Sequence, residues 1–314
     1  MAGLLTVLHG VVGLWSPIPG LFLFGLSALF TAGVRQRIRW AAFGMALFLL
    51  APLAGSSLLV AFEGDFRSEW PTLALRWVFS AIAAGFLVRA GRAMPKDDSA
   101  TWKYGSFLLG VIAFALSVFF RAYVVPTGGM ENTVLVGDRI LTQSFGAGRP
   151  ERGQLVVYRS PQNQNATFIK RVVALPGDRL RIVKKQLFVN GREPQEPFVS
   201  HLDSFVDDFR DFFPVGNPST APLHPSWLEA ITKATANGEL IVPPGKYFVL
   251  GDNRDRSLDS RYLGFVDQRD IKGTPALIYF SFDPPDDRLG SGGVPTPPLF
   301  TPSRIRWNRL FLSL

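Results

Sequence analysis

The stretch "TFIKRVVALPGDRLRIVKKQLFVNG", residues 167–191, decides the fold class of the polar part of this chain. It sets two runs rich in Val, Ile, Leu and Phe, "TFIKRVVAL" (167–175) and "RLRIVKKQLFVNG" (179–191), on either side of "PGD" at 176–178. Branched and aromatic residues at strand length, punctuated by Pro, Gly, Asn and Asp, read as β-strands joined by tight turns. "VNGR" at 189–192 adds a hairpin signal, because Asn190 and Gly191 tolerate φ > 0. Working outward, "QLVVY" (154–158), "KYFVLGD" (246–252) and "TPALIYFSF" (274–282) repeat the pattern, so a mainly-β domain is predicted from residue 121 onward. Between about 193 and 243 the pattern lapses into Pro, Asp, Ser and Phe with one helix-like piece, "HPSWLEAITKATANGE". That stretch is expected to be an insertion carried by the hairpin, an inserted β-hairpin subdomain.

The residues before 121 have another character. The 314-residue chain is 47% hydrophobic with a mean hydropathy of +0.18, high for a soluble protein. Residues 1–34, 41–62 and 104–120 contain no Asp, Glu, Lys or Arg, and residues 70–88 carry only Arg76. Roughly 20 apolar residues cross a bilayer as a helix, so about four spans are expected in residues 1–120. Pro17 and Pro19 could turn the first into a hairpin, and without a positive n-region it is not a cleavable signal peptide. Arg35, Arg37 and Arg39 follow the first span, and Arg89, Arg92, Lys96 and Lys103 follow the third. Glu63, Asp65, Arg67 and Glu69 lie between the second and third. Lys and Arg mark the cytoplasmic loops, so the expected fold is a multi-span α-helical membrane region, 1–120, followed by a mainly-β extracytoplasmic domain, 121–314. This places the chain in the cell (inner) membrane as a multi-pass protein. No cysteine is present, which removes disulfide and thiolate chemistry.

The net charge of +8 is scattered. Nucleic-acid binding would concentrate basic residues with aromatics on one face, so nucleic acid is set aside and anionic lipid headgroups are the expected counterpart. The tail "RIRWNRLFLSL" (304–314) mixes arginines with Trp307, Leu310, Phe311 and Leu312. It reads either as an interfacial segment or as a closing strand.

Three stretches carry chemistry. "VVPTGGMENTVLVGDRIL" (124–141) opens the β domain. In "FIKRVVALPGD" (168–178), Lys170 shares a strand face with Phe168 and Val172 while Arg171 faces the other way. A lysine in that position either reaches water or loses charge by desolvation, and a neutral amine is a general base. "GDNRDRSLDSRYLGFV" (251–266) crowds charged residues and serines into one loop.

Together these stretches resemble the type I signal peptidase family, membrane serine endopeptidases with a Ser/Lys dyad. Pro126, Thr127, Gly128, Met130 and Thr133 match the family's first motif. Lys170, Arg171, Val172, Pro176, Gly177 and Asp178 match the second. Gly251, Asp252, Asn253, Arg254, Asp255, Ser257, Asp259, Ser260, Arg261 and Gly264 match the third. The resemblance implies Lys170 as general base, Ser257 orienting its amine, and Thr127 supplying the oxyanion-hole hydroxyl beside the N–H of Gly129. It also implies Met130 beneath the site, and Arg171 with Asp252 and Asp259 with Arg261 as supporting ion pairs. The substrates it implies are signal peptides of exported preproteins, cut after small residues, with no cofactor.

One position departs from the family pattern. Gly129 stands where the nucleophilic serine is expected, and removing a nucleophile leaves only roughly 10³ to 10⁴-fold catalysis over water. The sequence therefore predicts an inactive or strongly impaired peptidase, or alternatively a membrane-anchored protein that binds signal peptides without cutting them. Thr127 is the one surrogate nucleophile within reach, but in an extended segment it lies about 6 to 7 Å further along. His9, His201 and His224 are scattered and no cysteine accompanies them, which argues against a His-containing triad and against a metal site.

Overall fold

The computed structural model describes residues 29–32, 34, 36, 38, 40–50, 54, 66–94, 100–144, 149–163, 166–284 and 302–314. The chain divides into two compact units, Met1–Arg121 with Thr296–Ile305 and Ala122–Pro295 with Arg306–Leu314. In the first, helices α1 (Phe66–Ala93) and α2 (Ala100–Phe119) accompany helical residues 40–50. Phe30, Met45, Phe48, Ala84 and Leu87 form its core.

Among the described residues no helix is long and apolar enough to cross a membrane, which overturns the expected multi-span α-helical membrane region. The reason lies in where charges and helix ends fall. The α1 sequence includes Arg67, Glu69, Arg76, Arg89 and Arg92, and charged groups at bilayer depth are costly. Helix α2 has Lys103 near its start, and the chain turns extended at Phe120. The uncharged helical run left between them falls short of the roughly 20 residues a crossing takes. The first apolar stretch up to residue 28 and half of the second lie outside the described residues. The multi-pass topology rested on these spans and is not supported by the helices seen.

The second unit is β-rich. Its strands are β1 (Phe120–Val124), β2 (Arg139–Gln143), β3 (Leu155–Arg159), β4 (Thr167–Ala174), β5 (Arg179–Val183), β6 (Gln186–Val189), β7 (Thr235–Ala236), β8 (Glu239–Ile241), β9 (Lys246–Leu250), β10 (Val266–Asp267), β11 (Ile271–Phe280) and β12 (Leu312–Ser313). The main sheet runs β1-β2-β11-β3-β4-β9-β10, with β12 paired on β11. The tail thus supplies a closing strand, with Leu312 opposite Ile278 and Ser313 opposite Leu277. Strand β3 reads as an unbroken apolar run because it is buried on both faces. Leu155 and Val157 pack with Met130 and Ile140, while Val156 and Tyr158 pack with Val172 and Val249. Pro275, inside β11, sits beside a register shift in the pairing with β2, where a missing N–H is tolerated.

A second sheet runs β6-β5-β8-β7. The expected single run over 179–191 is broken in two, because Lys184 and Lys185 adopt φ of 49° and 73° and fold it into a hairpin with Val183 opposite Gln186. Two lysines carry no turn signal of their own. The turn is held from outside, since the Lys185 ammonium donates to the Asp203 carbonyl at 2.7 Å and pairs with Asp255 at 3.1 Å. Asn190 and Gly191 do form a tight turn, with φ of 52° and 75°. Residues 193–243 add β7, β8 and helix α3 (Pro225–Ala234) to this sheet. The helix starts at a His224 cap followed by proline, a favoured first helical residue, and buries Trp227 and Ile231.

Phe209, Phe213, Trp227, Phe248 and Phe265 fill the core under this sheet. Phe248 is fully buried, its ring 5.4 Å from that of Phe213 and 6.2 Å from that of Phe265. Phe248→Ala is expected to cost about 3–5 kcal/mol in urea unfolding; a loss below about 1 kcal/mol would show that this cluster does not hold the unit together.

Candidate active site

The connection from β1 to β2 is closed by the Val125 amide donating to the Asp138 carbonyl at 2.9 Å, and by the Val134 amide donating to Met130 at 2.9 Å. Met130 is buried against Val125, Val134, Ile140 and Leu155 and so anchors the turn from below. Gly129, just before it, is also buried and is not among the residues with positive φ, so its backbone accepts an ordinary side chain. A Cβ there would lie 3.0 Å from the Lys170 Nζ and 3.6 Å from the Ser257 Oγ.

Lys170 comes from β4, opposite Val156 of β3, and is 4% exposed. Its ammonium sits 5.9 Å from the Phe168 ring centre. Burial lowers its pKa from 10.5 to about 8, against the pull of the Asp259 and Asp252 carboxylates and with a small push from Arg261. An appreciable fraction is therefore neutral at mildly alkaline pH.

The loop after β9 is fastened in two ways. Arg171, next to Lys170 on β4, grips Asp252 through Nε at 2.8 Å and Nη2 at 2.6 Å, while its Nη1 donates to the Gly153 carbonyl at 2.7 Å. Thr133 donates to the same carboxylate, and the Phe198 ring covers the guanidinium at 3.6 Å. Asp259 accepts from Arg261 at 2.9 and 2.7 Å and from the Gly251 amide at 3.1 Å. This second pair ties the loop to itself rather than to β4. Burial raises the Asp259 pKa, but Arg261 and the Gly251 amide outweigh it and hold the carboxyl below its ordinary value. Gly251 must be glycine, because a Cβ would come within 2.1 Å of the Ser257 Oγ and 2.3 Å of the Gly129 carbonyl.

The expected hydrogen bond from Ser257 to Lys170 is not formed. Ser257 is 6% exposed and its Oγ is buried without a hydrogen-bond partner among the described residues. Both groups border Gly129, which has no side chain to link them. Thr127 is exposed and lines, with Pro126, Met130, Ile140, Phe168 and Lys170, a cleft of about 90 Å³. The cleft walls are mainly apolar, and Lys170 is among the residues that line it.

Other residues of the site carry roles the sequence reading did not assign. Asn253 donates from Nδ2 to the Gly128 carbonyl and to Glu131, both at 3.2 Å, and from its backbone to the Gly129 carbonyl at 3.3 Å. Arg254 pairs with Glu196 at 2.6 Å and donates to the Gly251 carbonyl at 3.2 Å. Asp255, whose side chain is shielded from solvent, pairs with Lys185, His201 and Arg210. The available signal was their placement inside the charged motif, which does not reveal such distant partners. His224 caps α3 at a separate place, and among the described residues no group of His, Asp or Glu is arranged to hold a metal ion.

Residues 100–280 match the family model described as signal peptidase, peptidase S26. Signal peptidase I of Rickettsia typhi is 29% identical over 230 residues, covering 60% of this chain and 85% of the relative. That of Pseudomonas fluorescens is 31% identical over 221 residues, covering 58% and 74%. A crystal structure of a signal peptidase I from Enterococcus faecalis V583 is 28% identical, covering 41% of this chain and 98% of that one, with a TM-score of 0.26.

The buried lysine has a measurable consequence. Between pH 10.5 and about 8 the unfolded chain takes up a proton that folded Lys170 does not, so this group lowers stability as pH falls through that window and its full penalty applies below about 8. Lys170→Met is therefore expected to gain stability relative to the unmodified chain as pH drops from 10.5 to 8, by on the order of 3 kcal/mol in urea unfolding. A difference that does not change with pH would contradict the desolvated amine.

Proposed function

The chain belongs to the signal peptidase, peptidase S26, family, and on that premise we propose that it is a signal peptidase I-like endopeptidase for the signal peptides of preproteins, strongly impaired because Gly129 replaces its nucleophile. In this reading Lys170 is the general base. A residue-129 hydroxyl would attack the scissile carbonyl, Ser257 would orient the lysine once that hydroxyl is present, and the Thr127 hydroxyl with the N–H of residue 129 would receive the oxyanion. Arg171, Asp252, Asp259 and Arg261 hold the base and loop in place. Residues 121–314 are the catalytic domain, 1–120 a separate region, and about 193–243 its insertion.

The observation that carries this reading is the position of a Cβ on Gly129, 3.0 Å from the Lys170 Nζ and 3.6 Å from the Ser257 Oγ, in a backbone without positive φ where the flexible end of Lys170 need give only by a few tenths of an ångström. The small, mainly apolar cleft that Lys170 helps to line supports small side chains before the cut. A second reading, a protein that binds signal peptides without cutting them, is favoured by the same glycine beside an intact cleft. Exposed Trp307, Phe311 and Leu312 on the tail support a lipid surface as a further partner in both.

Gly129→Ser is expected to cleave a preprotein after a small residue at least about 10³-fold faster than the unmodified chain, and Gly129→Ser with Lys170→Ala to lose that gain. The comparison uses purified full-length protein in detergent. A folded Gly129→Ser that binds the signal peptide without cutting it, or a double variant that cuts equally well, would refute the Ser/Lys assignment.

A further inference from the structure

We propose that Asn253 is a positioning residue for the hydrolysis: it fixes the two peptide planes that flank residue 129, and through them the direction of the residue 129 amide that receives the oxyanion. This rests on the peptidase reading above and deepens it.

The Gly128 carbonyl and the Gly129 N–H belong to one planar trans peptide unit, so holding the first on one side turns the second to the other. Asn253 does the holding. Its Nδ2 donates to the Gly128 carbonyl at 3.2 Å, and its backbone N–H donates to the Gly129 carbonyl, on the next plane, at 3.3 Å. The Glu131 amide also donates to the Gly128 carbonyl, at 3.1 Å, so the turn keeps one bond when the Asn253 side chain is lost. The Gly129 N–H itself donates to nothing among the described residues, although Gly129 is buried. A buried amide without a partner is rare in folded proteins and calls for a reason. An oxyanion that exists only during the reaction supplies one.

Asn253 is well held for this task. It is 1% exposed, and the chain on either side of it is tied to Ser200, whose amide donates to the Asp252 carbonyl at 2.9 Å and whose carbonyl accepts from the Arg254 amide at 3.1 Å. The two ends of its side-chain amide are sorted by their partners. Nδ2 faces two acceptors, the Gly128 carbonyl and, at 3.2 Å, a Glu131 carboxylate oxygen, while Oδ1 accepts from the Arg256 amide at 3.3 Å. An aspartate of the same shape would set an acceptor against both acceptors. None of these bonds involves Lys170 or Ser257.

The test uses full-length Gly129→Ser protein in detergent, alone and combined with Asn253→Asp or Asn253→Ala, each checked for folding by thermal unfolding. Three quantities are compared: turnover of a fluorogenic signal-peptide substrate with alanine at the small-residue positions, affinity for the same peptide N-methylated at the scissile bond, and affinity for a peptide aldehyde. The aldehyde adds reversibly to the serine hydroxyl and places an oxygen where the oxyanion forms. With Asn253→Asp, kcat should fall at least about tenfold, short of the roughly 10²–10³ lost with a whole oxyanion donor, while KM stays within about twofold. Aldehyde affinity should fall with kcat and the N-methylated peptide should bind as before, whereas a merely structural role would weaken both. Unchanged kcat in the folded double variants, or a loss of affinity shared equally by the two ligands, would overturn the role of Asn253 and leave the peptidase reading standing. If neither double variant folds, the structure of the Gly129→Ser aldehyde adduct decides. An adduct oxygen within about 2.7–3.1 Å of the residue 129 nitrogen, with Asn253 still on the Gly128 carbonyl, supports the proposal; an oxygen placed elsewhere, or Asn253 detached, overturns it. A folded Gly129→Ser that does not cleave would remove the peptidase reading and the role of Asn253 with it.

Discussion

The guanidinium of Arg171 and the carboxylate of Asp252 meet with two charge-assisted hydrogen bonds, almost wholly out of water. Because Arg171 follows Lys170 on β4, this contact fixes the depth of the loop after β9 against the strand that carries the lysine. Breaking such a pair from one side leaves a buried charge uncompensated, at a cost of roughly 3–5 kcal/mol. Replacing both partners with apolar groups is often neutral. The pair is therefore better understood as setting geometry than as adding stability. Once it is set, Gly251 brings the loop within van der Waals reach of Gly129, and Ser257 arrives, like Lys170, beside Gly129.

A second set of charges extends this registration to the small sheet. Asp255 lies two residues before Ser257 and is held by Lys185 from the β5–β6 turn and by His201 and Arg210 from the segment that follows β6. Burial raises its pKa, but hydrogen bonds from the Asp203 amide, Lys185 and His201 and the charge of Arg210 outweigh it and keep the carboxyl below its ordinary value. Asn253 clamps the Gly128 and Gly129 carbonyls. The loop is thus fastened at successive residues to different elements, and the positions of Lys170 and Ser257 follow from contacts that neither residue makes.

The strands around the site were readable because their signal is local: branched and aromatic residues between Gly, Pro and Asn punctuation, as in β4 and the Asn190 turn. The hairpin at Lys184 and Lys185 was not, since its positive φ values are supported by Asp203 and Asp255, remote in sequence. The membrane spans failed for a related reason. An absence of charge in residues 104–120 shows what a segment avoids, not where its helix stops, and strand β1 begins inside that window. The motif residues were legible as a set, while the lack of a bond from Ser257 to Lys170 depends on a side chain that Gly129 does not have. The conformation of that glycine, open to serine, was beyond any reading of composition.

The central claim is that the site is organised around the place of a residue-129 side chain. Its most direct test is a high-resolution structure of the Gly129→Ser protein. The account expects the new Oγ within about 2.6–3.2 Å of the Lys170 Nζ, with Ser257 turned to bond the lysine and the pair of Arg171 and Asp252 unmoved. A serine hydroxyl directed away from Lys170, or a loop displaced to admit it, would contradict the account.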